Sequence, residues 1–173
     1  MTTTRLMIAP LTAMLAMLAL AGCQRGDETQ PLKLSGKLFI FNYRVSKATY
    51  NLAFDFQGKI PDGSYVEASF ENPAGGEPLK ITQKMFPFWE KLTLESPPLR
   101  CVVKDKPYKV AVSLFGPDAQ KIQTVETTVI SSLDETILPK NSIVVGPAYD
   151  PNPKVFVKGG VPDFSPDTDC PKA

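Results

Sequence analysis

The chain contains no histidine among its 173 residues, so acid–base chemistry near neutral pH would fall to carboxylates. Two carboxyl groups facing one cleft could serve as the acid and base of a glycoside hydrolase, and Asp55, Glu67, Glu90 and Glu95 are the candidates. Each stands among alternating apolar residues, which is the pattern of a solvated outer strand face. Asp163, Asp167 and Asp169 lie close together near the C-terminus and offer oxygen ligands of the kind calcium takes. A solvated polar tail accounts for them equally well. Phe86-Pro87-Phe88-Trp89 is the densest aromatic cluster and holds the only tryptophan. Exposed, Phe86, Phe88 and Trp89 would form a binding patch, since aromatic side chains are enriched at interfaces. Buried, they would be a strand end filling the core, which is the favoured reading.

Much chemistry is excluded at the level of residue types. Without histidine there is no Ser-His-Asp or Cys-His arrangement, no His-based zinc site and no His-Glu-x-x-His protease. A Ser-x-x-Lys nucleophile, a Gly-x4-Gly-Lys phosphate loop and a Gly-x-Gly-x-x-Gly fingerprint are also missing. Met85 is the only methionine beyond residue 22, which argues against a methionine-based copper site. The expectation is a protein that is not an enzyme and carries no cofactor and no metal. The 19 basic and 18 acidic side chains nearly cancel, and the lysines are spread along the chain. Nothing here resembles the basic stripe that binds nucleic acid through its phosphates.

The N-terminus has a different character. Arg5 is followed by an apolar stretch over residues 6–20, interrupted only by Pro10 and Thr12. That is too short to span a bilayer core and fits the charged start and apolar centre of a secretory signal peptide. It closes on Leu20-Ala21-Gly22-Cys23, which resembles the lipobox of bacterial prolipoproteins. The alternative is an ordinary signal peptide cut after the small-residue triplet Ala19-Leu20-Ala21. The resemblance implies that Cys23 is lipidated and that the chain is cut between Gly22 and Cys23. The new amine would then be acylated, for example with palmitate. Attachment through several acyl chains is close to permanent, whereas one chain anchors only marginally. Gln24, where enteric bacteria place Asp to retain a lipoprotein at the inner membrane, implies the outer membrane, facing the periplasm.

Lipidation of Cys23 would leave Cys101 and Cys170. An even pair in an exported chain is most simply a disulfide. Closing a loop of that length would stabilise by roughly 4 kcal/mol on the chain-entropy model. A redox-active pair would instead show the close Cys-x-x-Cys spacing, which is absent.

The elements that must position these residues read as strands. Residues 50–56 place Tyr50, Leu52, Phe54 and Phe56 on one face, and residues 65–71 place Val66, Ala68 and Phe70 opposite Glu67, Ser69 and Glu71. Turn residues separate them at 58–63 and 72–76. Further strands are expected at 33–43, 79–85, 89–94 and 108–114. A long one at 120–133 should bend midway, and 142–145 and 154–158 are shorter candidates. No stretch of ten or more residues keeps a helical period. Short strands with regular turn signals imply an all-β, immunoglobulin-like antiparallel β-sandwich, with a small β-barrel as the alternative. The run Tyr108-Lys109-Val110-Ala111-Val112 resembles a strand of fibronectin type III and related sandwiches. The resemblance implies that Tyr108 is a tyrosine-corner residue whose hydroxyl bonds nearby backbone.

The expected organisation is a signal peptide at 1–22, a polar tether at 23–31, a sandwich at 32–145 and a Pro-rich extended tail at 146–173 pinned by the disulfide. The expected function is a lipid-anchored, non-catalytic binding or assembly module of the cell envelope, held to the membrane by its N-terminal lipid and engaging an envelope protein partner. Two other readings stand beside it: a chaperone or pilotin for an outer-membrane or secreted complex, and a carboxylate-based hydrolase of envelope glycans.

Overall fold

The computed structural model describes residues 30–171. The lipobox Leu20–Cys23, Gln24 and the tether as far as residue 29 lie outside the described residues. Within them the chain forms two antiparallel sheets. The first orders its strands β1-β2-β5, with β1 at Leu32–Asn42, β2 at Lys47–Phe56 and β5 at Lys91–Glu95. The second orders β4-β3-β6-β7, from Leu79–Lys84, Tyr65–Phe70, Pro107–Phe115 and Lys121–Ile130. No backbone ladder joins the two sheets along their edges, so the architecture is the sandwich and not the closed barrel. A small pair, β8 at Val144–Val145 and β9 at Asp150–Pro151, follows.

Period-2 alternation produces the core directly. Tyr50, Leu52 and Phe54 of β2 are fully buried, as are Val66 and Phe70 of β3 and Leu92 and Leu94 of β5. Tyr108 and Leu114 of β6 complete the set. Aromatic rings join the sheets: Tyr50 stacks on Phe70 at 5.5 Å between centroids, and Phe39 lies 5.8 Å from Tyr108, edge to face. Both buried tyrosine hydroxyls have work to do. Tyr50 donates to the carbonyl of Glu71 at 2.9 Å, and Tyr108 accepts from the Val103 N–H at 2.8 Å, which is the tyrosine-corner arrangement at the start of β6. Burial pushes both hydroxyls above the usual tyrosine range, so they serve as neutral hydrogen-bonding groups.

Two features depart from the sequence expectations, and a third lies outside them. Residues 154–158 are not a strand. The Asn152 carbonyl accepts from Val155 and Phe156 and its side-chain oxygen accepts from Lys154, coiling the chain into turns before it can extend. Strand β7 stops at Ile130 and keeps its register on β6 through its middle; the irregularity lies at its start, opposite Leu114 and Phe115. Gln123, near the start of β7, points inward. Its amide oxygen accepts from the Leu32 N–H at 2.8 Å and its amide nitrogen donates to the Leu32 carbonyl at 2.7 Å. The side chain thus completes β1 as a neighbouring strand would.

Register then sorts the connections between two ends. Leu32 pairs with Phe56, Tyr65 with Lys84 and with Phe115, and Asp55 with Lys91. The N-terminal entry therefore shares one end with the connections 57–64, 85–90 and 116–120. The turn 43–46, the connections 71–78 and 96–106 and the described residues after Ile130 share the other. Among the described residues no helix is long and apolar enough to cross a membrane.

Replacing Gln123 by Leu keeps the volume but strands both backbone groups of Leu32 in a buried site. We expect a loss of about 2–4 kcal/mol in urea unfolding, from two unsatisfied polar groups. A loss within about 0.5 kcal/mol, typical of a surface substitution, would show that the clamp contributes nothing.

Candidate functional site

The entry end carries the aromatic cluster. Phe86-Pro87-Phe88-Trp89 is a tight turn closed by the Trp89 N–H donating to the Phe86 carbonyl at 3.0 Å. Pro87 presets the backbone angle at the second position, which leaves Phe88 at the tip with no core to enter. Phe88 is 76% exposed and Phe86 45% exposed, and their rings lie 5.6 Å apart. Trp89 lies 5.1 Å from Phe86 and packs inward against the core. The favoured expectation, a strand end filling the core, is therefore corrected for the two phenylalanines and describes only Trp89. Behind the turn is a cleft of about 230 Å³ walled by Phe56, Ile60, Met85, Phe86 and Trp89, with Lys59 and Asp62 at its rim.

The exit end is covered by the chain after β7. Cys101 and Cys170 form a disulfide across a sequence separation of 69. Cys101 is buried and adopts a left-handed backbone conformation, φ 64°, uncommon for a residue with a side chain. Its N–H donates to the Glu135 carboxylate, whose other oxygen lies 2.9 Å from Cys170 Sγ. The chain then threads over the 43–46 turn: Ile143 N–H donates to the Arg44 carbonyl at 2.9 Å and Ser142 Oγ to the Val45 carbonyl at 2.8 Å. Buried Asn152 donates to the Ser142 carbonyl at 2.6 Å. With the backbone held in this way, Tyr149, Phe156, Val157 and Phe164 remain exposed, and Val161 is 81% exposed. The signal for this surface in the sequence is apolar residues set among prolines without strand alternation.

The carboxylates do not converge. Asp55 pairs with Lys91 at 3.1 Å and Glu95 with Lys47 at 2.7 Å, while Glu67 and Glu90 face solvent. Asp55 and Glu95 lie on the first sheet and Glu67 on the second. The C-terminal aspartates part company as well. Asp163 faces Lys140 at 3.7 Å and Asp167 faces Arg100 at 3.9 Å. The Ser165 N–H holds the Asp163 carboxyl below the usual range. Among the described residues the three ligand-type side chains that do come together are Cys101, Glu135 and Cys170, and the disulfide occupies both sulfurs.

No protein-family model matches the chain, and no curated protein does. Among solved structures, a family 76 glycoside hydrolase from a bovine Bacteroides thetaiotaomicron strain overlaps 56% of this chain at 15% identity and a TM-score of 0.36. The overlap takes in 20% of the hydrolase chain. A likeness of this size says nothing about activity.

Glu135 yields a pH prediction. Burial raises its carboxyl above the ordinary value, against the opposing pull of the Cys101 N–H and Arg100. The folded state therefore binds this proton more tightly than the unfolded state. The associated stability is complete at low pH and is lost as pH rises through the raised value. Glu135→Gln keeps an acceptor for Cys101 and cannot ionise. In urea unfolding, the variant should gain on the wild type as pH rises from about 4 to 7. A wild type that gains on the variant over that range would contradict the assignment.

Proposed function

We propose that the chain is a lipid-anchored β-sandwich of the cell envelope that presents its C-terminal segment to a protein partner and performs no catalysis. The observation that carries this reading is the exit end. A long segment without a core of its own is ordered by the Cys101–Cys170 disulfide and by Asn152, and its apolar side chains still face water. Ordering the chain in advance removes much of the entropic cost that binding would otherwise carry. Tyr149, Phe156, Val161 and Phe164 then supply the apolar and aromatic contact that protein interfaces favour. The Leu20-Ala21-Gly22-Cys23 pattern supports the anchor, and Gln24 supports the outer membrane as its location.

Two measurements test the two halves. Cells given labelled palmitate should transfer label to the wild-type chain and none to Cys23→Ser; equal labelling would end the anchor reading. In native electrophoresis of mild-detergent envelope extracts, the wild type should migrate in a complex larger than the monomer. Val161→Asp and Phe156→Asp, both at exposed positions and so expected to keep their melting temperature, should migrate as monomers. A wild type at monomer mass, or variants that stay in the complex, would contradict the partner surface.

A further inference from the structure

We infer that the Phe86–Phe88 turn is a second membrane contact, inserting its two exposed rings into the lipid interface and fixing which way the anchored domain faces. The inference rests on the proposed acylation of Cys23. Three observations meet at the entry end. The described chain begins there, with the Pro31 carbonyl accepting from the Gln57 N–H at 2.8 Å and Leu32 clamped by Gln123. Gln57 precedes Gly58, which lines the cleft beneath Phe86, so the point where the tether attaches and the aromatic turn are neighbours. The turn itself projects Phe88 outward at 76% exposure, with Phe86 beside it.

Tether length decides how much this proximity matters. Eight residues separate Cys23 from Leu32, a span of nine Cα–Cα steps. A span of that length reaches no more than about 32 Å. A bilayer holding Cys23 is therefore always within reach of the turn. The anchor also raises the effective concentration of the interface, so a weak individual affinity is enough to keep the turn seated. Aromatic rings at a water–hydrocarbon boundary are favoured, as the aromatic belts of membrane proteins show.

Charge argues for the same mode. Lys59, Lys84 and Lys91 flank the turn, but Asp62 and Glu90 lie among them and Asp55 pairs with Lys91. With little net charge, insertion should depend on the rings and hardly at all on anionic lipid, unlike a polybasic attachment.

Trp89 makes this testable, because it is the only tryptophan and lies 5.1 Å from Phe86. The acylated full-length chain would be reconstituted into phosphatidylcholine vesicles with acyl chains brominated near the headgroup. Trp89 emission should be quenched relative to unbrominated vesicles, and equally so when phosphatidylglycerol is included. The double variant Phe86→Ser, Phe88→Ser should float with the vesicles as the wild type does, melt at the wild-type temperature and lose the quenching. A wild type that floats with the vesicles but is unquenched overturns the membrane contact and leaves the anchor standing. A wild type that does not float overturns the anchor, and this inference with it. Quenching that persists in the double variant overturns the assignment to Phe86 and Phe88, as does quenching that appears only with phosphatidylglycerol.

Discussion

Gln123 fixes where the chain enters the sandwich, and the distribution of every other surface feature follows from that point. Its amide satisfies both backbone groups of Leu32, so β1 cannot fray from the entry end without stranding two buried polar groups. From there, antiparallel pairing leaves little freedom. Seven strands alternate in direction, and an odd number delivers the chain to the opposite end. The aromatic turn at 85–90 must lie at the entry end and the disulfide-pinned tail at the exit end. Under the proposed anchor, one end of the domain belongs to the membrane and the other to the periplasm.

The two ends are built on different physics. The sandwich beneath them is closed by the Phe39, Tyr50, Phe70 and Tyr108 rings, which gather toward the exit end and tie both sheets to their loops through two hydroxyls. The exit end then continues into a segment whose prolines and glycines cannot build a core. Covalent closure at Cys101–Cys170 and side-chain bonds from Asn152 and Ser142 take over the ordering there. The entry end needs no such staple, because the Phe86–Trp89 turn is short, is preset by Pro87 and is held by Trp89 packing inward.

Most of the strand architecture was legible in the sequence because burial on one face imposes a period of two, as 50–56 and 108–114 illustrate. The Tyr108 corner followed from the resemblance of its strand to those of related sandwiches and not from the alternation. Gln123 was not, since a polar residue in a strand reads as solvent-facing unless its partner is known. The failure at 154–158 has a local cause: Val155, Phe156 and Val157 favour strands, but Asn152 offers the backbone a competing set of hydrogen bonds. The exposure of Phe86 and Phe88 could have been drawn from Pro87, which marks the second position of a turn and places the next side chain at its tip. The acidic residues were ambiguous in principle, because what distinguishes a catalytic pair from separate surface ion pairs is geometry.

The central claim is one of polarity, with the aromatic end against lipid and the tail end away from it. It is tested most directly by placing a photoreactive benzoylphenylalanine singly at Phe88 and at Val161 of the acylated chain in vesicles and irradiating. Lipid adducts at position 88 and none at 161 are the predicted result. Adducts at 161, or equal yields at the two positions, would contradict it.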